Sequence, residues 1–261
     1  MCIRDSLVVV VDNNDSPSAQ QEALAFRNDF EIIYQWEPRP GIPFARNRCL
    51  DIALKNGADF IAFIDDDEWV ERGWLSELLA AADQDSVDVV SGVVLQQFGN
   101  KQKVKRRLPS GTRRDRAETD NVIMRKWLAE SLSFDEDFAQ TGGSDTLFFR
   151  QAYEAGAVIL ASDSAIVYEE FPEERQSLTW RFQRYFRFGL MHCLTERKLN
   201  HGKSSVFLLF RSVSLIFLGL LQIPFFLIFF KKSPWAGFDR VMRGLGGVSF
   251  FLGFRYNEYK R

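Results

Sequence analysis

Asp65-Asp66-Asp67-Glu68 sets a row of carboxylates directly behind the apolar run Phe60–Ile64. Mutual repulsion makes such a row costly unless a cation neutralises it. In an α/β sheet, ligands bind outside the carboxyl ends of the strands, which is where this row falls if Phe60–Ile64 is a strand. Mg²⁺ or Mn²⁺ is the matching cation, held by one or two carboxylates and completed by the oxygens of a diphosphate. A solvated acidic turn accounts for most acidic runs; the fully apolar strand in front favours the ligand site here.

A second carboxylate, Asp145, closes Gly142-Gly143-Ser144-Asp145 and opens an amphipathic stretch. The glycines let backbone come close to a substrate. A carboxylate at a helix start serves as an N-cap, as a general base, or as both, and the residues fit each reading. Trp69 and Trp74 present flat faces that suit a sugar ring as well as a core. Asn121 either contacts an acceptor or caps a turn. Taken alone, Arg46 is a helix-surface charge and Asp12 a turn residue.

The elements that must position these groups follow from periodicity. Strands are predicted at Leu7–Val11, Glu31–Tyr34, Phe60–Ile64, Val87–Leu95, Asn121–Arg125 and Val158–Ala161. Helices are predicted at Ser18–Asn28, Pro43–Asn56 with Gly57 as its C-terminal cap, Gly73–Ala82, Asp145–Ala155 and Thr179–Leu194. Their alternation predicts an α/β domain with a largely parallel sheet. Gly99–Glu118, polar and strongly basic, is expected to be a mobile loop. Glu169-Glu170 is expected to be an exposed acidic turn before Pro172.

The motifs VVVVDNN, EPRPGIPFARN, FIAFIDDDE and TGGSD, in that order, resemble the family 2 glycosyltransferases of the GT-A fold. The chain is most similar to the bacterial exopolysaccharide group that contains succinoglycan-type glucosyltransferases, over roughly Leu7 to Gly189. The resemblance implies a Rossmann-like, mostly parallel sheet flanked by helices. It also implies an inverting, metal-dependent transfer of a hexose from a nucleotide sugar, a UDP-sugar in this group. The acceptor would be a lipid-linked oligosaccharide in exopolysaccharide or cell-surface glycan synthesis.

Position by position, the resemblance makes Asp12 the nucleobase-binding aspartate and Arg46 the basic residue near base and diphosphate. Asp65 becomes the ribose-side aspartate, Asp66 a donor-binding neighbour, Asp67 the metal ligand and Asp145 the general base. Arg184 and Arg187, with Arg181, match an acceptor- or diphosphate-facing helix, although the same basic stripe suits anionic lipid. Glu169-Glu170 lies where many relatives carry a third metal-binding residue. Two departures stand out. Ser144 replaces the usual Glu before the catalytic Asp, and the family's first strand and Pro-Thr nucleotide loop are missing before Leu7. The chain by itself is therefore expected to be poorly stable or inactive.

Two other function classes share these features. A non-catalytic binding module in a synthase complex would be expected to lack Asp67 or Asp145, and both are present. A metal-dependent nucleotidyltransferase would need a Gly-rich phosphate loop near the start.

The 261 residues suit one α/β domain plus an extension, or at most two small domains. A net charge of −2 and the lack of a strongly basic domain argue against nucleic acid as the main partner. Cys2, Cys49 and Cys193 are scattered and odd in number, which suits a reducing cytoplasm. Residues 1–6 lack the pattern of a signal peptide and resemble translated adapter sequence, an artefactual leader. Residues 7–200 are then the catalytic domain, and 201–261 a membrane-associated helical tail.

That tail carries the densest phenylalanines. Val206–Phe230 is apolar apart from Arg211, several serines and Gln222, with Pro224 inside it. Its length allows a bilayer span of roughly 20 residues, while Pro224 and Gln222 weaken one. Lys231-Lys232 supplies a basic flank, which places the chain at the cytoplasmic face of the inner membrane. Val241–Phe254 suits an interfacial or re-entrant hairpin. A buried hairpin of a soluble domain is the alternative.

Overall fold

The structure is a computed structural model, which describes residues 6–84, 86–99, 101–199, 204–225 and 235–254. Lys231-Lys232 and most of the expected leader lie outside the described residues. The chain divides into two compact units, Met1–Ala139 with Ser144–Phe171, and Gln140–Gly143 with Pro172–Arg261.

The first unit is α/β. Strands β1 (Leu7–Asp12) and β2 (Glu31–Trp36) pair in parallel, with the short helix α1 (Gln20–Ala25) between them in sequence. Helix α2 (Ile42–Lys55) follows and stops at Gly57, whose φ of +72° a side chain would resist. A separate seven-stranded sheet has the order β3 (Phe60–Phe63), β8 (Val122–Arg125), β5 (Val89–Phe98), β9 (Ile159–Glu170), β4 (Glu68–Val70). Strand β6 (Lys101–Arg106) adds to β5, and β7 (Arg113–Arg114) adds to β9. Among the described residues β1 pairs only with β2, and β3 only with β8.

The largely parallel sheet expected from the element order is corrected to a mixed one. Only β1–β2 and β5–β9 run parallel; β3–β8, β5–β8, β4–β9, β5–β6 and β7–β9 are antiparallel. The reason is that β8 inserts between β3 and β5 against both, while the short β4, β6 and β7 run opposite to their longer neighbours. The mobile loop expected over Gly99–Glu118 is corrected as well. Its first half is β6, hydrogen-bonded along β5, and its second half includes β7.

Alternation along the central strands places side chains on both faces of the sheet. Val89, Val122 and Met124 join Leu50 and Ala53 of α2, Leu128 of α4 (Lys126–Ser131) and Phe148 and Phe149 of α5 (Ser144–Glu154) in one cluster. Their neighbours Val90 and Ile123 pack on the other face against Leu78 and Ala82 of α3 (Trp74–Ala82). With both faces covered, β5 is buried at its first eight positions, Ser91, Gly92 and Gln96 included.

The second unit is helical: α6 (Leu178–Leu199), α7 (Ser205–Phe225) and α8 (Trp235–Phe251). A Cβ at Gly189 or Gly246 would strike the carbonyl of Arg243 or Phe186, so α6 and α8 touch backbone to backbone. Gly219 and Gly237 do the same for α7 and α8. This packing places α6 in the helical unit, which takes in Pro172–Arg261. The segment expected as a re-entrant hairpin is an unbroken helix of 17 residues, α8.

Helix α7 has a mean hydropathy of 2.1 over Ser205–Pro224 with 17% of that window buried, which is long and apolar enough to cross a membrane. Phe207, Phe210, Phe217, Leu218, Leu220 and Leu221 are exposed on it.

Candidate functional site

The sheet's carboxyl end gathers most of the chemistry. Strand β3 stops at Phe63, and the chain turns through Asp65–Glu68 into β4. The turn is tied by the Asp65 amide donating to Glu68 Oε2 at 2.9 Å, while Glu68 Oε1 is buried without a partner. Asp66 and Asp67 are exposed. Burial pushes the Asp65 carboxyl up to about 6, against the pull of Arg46 and with help from Asp120, Asp145 and Asp67. Burial raises Glu68 further, to about 9, with Asp65 and Asp120 adding to it.

Arg46 joins this turn to the second carboxylate. From α2, its Nη2 lies 3.7 Å from Asp65 Oδ1, and its Nη1 donates to Ser144 Oγ at 3.3 Å. Ser144, standing where the resemblance has a Glu, accepts from Arg46 through an uncharged hydroxyl and leaves the guanidinium charge to be answered by Asp65. The neighbouring Asn47 clamps the Phe134 backbone through both amide atoms, at 2.9 and 2.7 Å, and Arg46 stacks over the Phe134 ring. Asp145 follows in the first turn of α5, after Gly142 and Gly143 at φ of +70° and +91°. Its Oδ1 accepts from the Thr146 amide at 2.7 Å, while Oδ2 has no hydrogen-bond partner among the described residues. The turn, Arg46 and Asp145 thus converge.

Behind the turn lies a charged layer that sequence reasoning did not assign to the site. Glu68 pairs in register with Glu169 across β4 and β9, so Glu169 is a buried strand residue, not the exposed turn expected. Glu169 Oε2 accepts from Lys105 Nζ at 2.7 Å and Gln96 Nε2 at 3.0 Å. Buried Asp120 binds Lys105 at 3.2 Å and Arg106 at 2.7 Å. Its desolvation would raise the carboxyl; Arg106 and Lys105 more than reverse this and hold it below the usual range. In the sequence this layer shows as the basic run from Lys101 to Arg107 and the Glu169-Glu170 pair.

Two further candidates from the sequence, Asn121 and Trp74, meet each other. Asn121 is 0% exposed, and its amide donates to the carbonyls of Val93 and Ala165 while accepting from Trp74 Nε1 at 2.8 Å. Neither Asn121 nor the indole N–H of Trp74 is left to meet an acceptor; together they lock α3 to the sheet, against Gly92, where a Cβ would strike the Asn121 amide. Trp69 is exposed, stacked on Tyr168 at 5.7 Å.

Asp12 ends β1, in the two-stranded sheet. It accepts from the amides of Asn14 and Ala19 and from Tyr34 Oη at 2.8 to 2.9 Å. Burial would raise its pKa, and those bonds outweigh burial and lower it. Asn13 and Glu37, both missed from sequence, build the adjoining loop. Asn13 Nδ2 donates to the carbonyls of Glu37 and Arg39. The Glu37 side chain, 1% exposed, accepts from Arg39 Nε at 2.8 Å and from Arg48 Nη2 at 3.3 Å. Arg184 and Arg187 belong to the helical unit, where Arg184 lies over the Trp180 and Phe188 rings. Arg181 of the same stripe is committed to Asp239 of α8, at 2.8 and 2.6 Å.

The Glycosyl transferase family 2 profile matches residues 4–141. The chain is 35% identical over 210 residues to the succinoglycan biosynthesis protein ExoM of Rhizobium meliloti, covering 75% of this chain and 66% of that protein. It is 30% identical over 90 residues to the putative glycosyltransferase EpsH of Bacillus subtilis, covering 33% of this chain and 24% of that protein. The chain thus spans less than two thirds of either relative's length. Among solved structures, S. aureus TarS in complex with UDP-GlcNAc superposes with a TM-score of 0.54 at 13% identity, covering 94% of this chain and 82% of TarS. GalNAc-T7 with UDP, GalNAc and Mn²⁺ superposes with a TM-score of 0.51 at 12% identity, covering 70% of this chain and 41% of that one. These two share the fold, a mixed α/β GT-A arrangement. By the profile and the identity to the Rhizobium protein, the chain belongs to glycosyl transferase family 2.

Proposed function

We propose that this protein is an inverting hexosyltransferase that moves a sugar from a nucleotide donor, a UDP-sugar, to a lipid-linked glycan in exopolysaccharide synthesis. One observation carries the reading: Arg46 touches Asp65 of the acidic turn and Ser144 beside Asp145, so donor-side and acceptor-side carboxylates share one end of the sheet. The complexes of TarS with UDP-GlcNAc and of GalNAc-T7 with UDP support the donor class, and the Rhizobium relative supports the glycan.

The residues suit a divalent cation. Among the described residues no three His, Cys, Asp or Glu side chains form a closed cage. Mg²⁺ or Mn²⁺ needs only one or two carboxylates when a diphosphate completes its shell, and Glu68 Oε1 is a buried, unpartnered oxygen at the turn. Asp67 would hold the ion, with Asp65 and Asp66 on the donor beside it. When bound, the cation supplies charge to stabilise the departing diphosphate.

The protein's own groups do the rest. Asp145 accepts the acceptor hydroxyl's proton on its open Oδ2 as that oxygen attacks the anomeric carbon from the face opposite the leaving group. Arg46 holds the turn to α5 and adds positive charge near the diphosphate. Asp12, with both oxygens hydrogen-bonded, shapes the loop against which the nucleobase lies. Helix α7, with its exposed phenylalanines, attaches the protein to the cytoplasmic face of the membrane, where Arg184 and Arg187 of α6 meet the acceptor's phosphate or anionic lipid.

The full gene product is assayed for transfer from UDP-, GDP- and dTDP-sugars to a membrane extract with Mn²⁺, Mg²⁺ or EDTA, alongside liposome flotation. Transfer should require the cation and fall about 10²- to 10⁴-fold in Asp145→Asn, with Asp67→Ala similarly inactive. Donor binding without turnover in any condition would instead support a binding module.

A further inference from the structure

Hairpin β5–β6 brings one ammonium group to the back of the acidic turn. Lys105 Nζ sits between Glu169 Oε2 at 2.7 Å and Asp120 Oδ2 at 3.2 Å, with both carboxylates buried and the lysine about one quarter exposed. Arg106 takes the other oxygen of Asp120 and also pairs with Glu118 at 2.6 Å, so its charge is divided. Glu169 stands opposite Glu68 in the β4–β9 register, and Asp120 is among the charges felt at both Asp65 and Glu68. Four carboxylates therefore crowd one end of the sheet, and Lys105 is the cation that contacts the rear pair together.

We propose that Lys105 is a positioning residue that sets the charge of the donor site: by neutralising Asp120 and Glu169 it limits the negative field at the acidic turn to what one divalent cation and an anionic diphosphate can share. This rests on the glycosyltransferase reading for the donor, but not for the cation. Its consequence is a trade-off of definite sign. Removing the positive charge strengthens the attraction for a cation and weakens that for a doubly charged donor. Removing one rear carboxylate does the reverse. A lysine that only braces the hairpin would weaken both together.

The test uses the full gene product and Mn²⁺ as probe, followed by the EPR signal of the free ion, with donor KM measured at saturating Mn²⁺. Lys105→Met should bind Mn²⁺ about fivefold more tightly and raise donor KM about fivefold, the scale of one partly screened unit charge. Glu169→Gln should shift both in the opposite direction, and Lys105→Arg should leave both within about twofold of wild type. Glu169→Gln decides the matter even where Lys105→Met fails to fold. Equal constants in all variants, or parallel losses of cation and donor in Lys105→Met and Glu169→Gln, would overturn the proposal, as would a wild-type protein that binds no Mn²⁺. Mn²⁺ binding that shifts as expected in a protein without sugar transfer would instead reject the glycosyltransferase reading and keep the role of Lys105.

Discussion

The carboxyl end of the β3–β9 sheet and the α6–α8 helices handle crowding in opposite ways. At the sheet end, Asp65, Glu68, Asp120 and Glu169 crowd together around Arg46, Lys105 and Arg106, and Glu68 Oε1 is left buried without a partner. In the helices, glycines let the backbones meet, and Arg181 pairs with Asp239 in bidentate fashion. The helical region is held by close backbone contact and a matched ion pair, whereas the sheet end concentrates like charge around a few cations. Substitutions that relieve or add crowding should therefore have opposite signs in the two regions.

The largest effect is expected at Gly246. Its Cβ position falls on the Phe186 carbonyl of α6 and close to the Leu190 amide, which are backbone atoms that cannot turn aside. Gly246→Leu should cost about 3 kcal/mol by overpacking. Chemical denaturation would show this as a lower midpoint. An unchanged midpoint would mean that α6 and α8 are not held in backbone contact, and the contrast between the regions would fail.

A middle case lies beside β2, where a buried charge is fully answered. Arg39, then Arg48, hold the Glu37 carboxyl near 2, far below its usual 4.5. A carboxyl lowered on folding stabilises the folded state when ionised; that contribution is complete above about 4.5 and is lost as pH falls toward 2. Glu37→Gln should cost about 2 kcal/mol at pH 7, the scale of a charge-assisted hydrogen bond. The gap between variant and wild type should narrow in denaturation at pH 3. A gap that stays constant with pH would show that the loss is one of shape and not of charge.

How far all this was legible depends on the range of the interactions. The apolar runs that became β3, β5 and β8 were readable because short apolar, β-branched or aromatic segments bounded by turn or charged residues are a local signature. The acidic turn and Gly142–Asp145 were readable because their residue types sit side by side. Strand direction was not, since periodicity is the same for a parallel and an antiparallel β8. Strand β6 was hidden because Lys-Gln-Lys-Val-Lys-Arg has a single apolar residue; it is fixed by pairing with β5 and by ion pairs to residues 14 and 64 positions away. Asn121 looked like a surface contact because nothing local says that Val93, Ala165 and Trp74 will surround it. The glycines of α8 looked like interruptions of an apolar segment, and only the partner helices give them a purpose.

The smallest effect expected is also the sharpest test, because it should carry the opposite sign. Asp65 has one cation, Arg46 at 3.7 Å, against the carboxylates of Asp67, Asp120 and Asp145. Asp65→Asn keeps the size of the side chain and removes a repelled charge. Since the side chain is 44% exposed, water screens much of that repulsion, so the gain should be about 1 kcal/mol. In thermal unfolding without cation or nucleotide this would appear as a rise of roughly 2 to 4 °C. Excess Mn²⁺ should shrink the difference, since a bound cation would answer the same charge in the wild type. A variant that melts lower than wild type would mean that the Arg46 contact outweighs the repulsion. The acidic turn would then be held by its own ion pair, as Arg181 and Asp239 hold α6 to α8, and would not be a site held ready for a ligand.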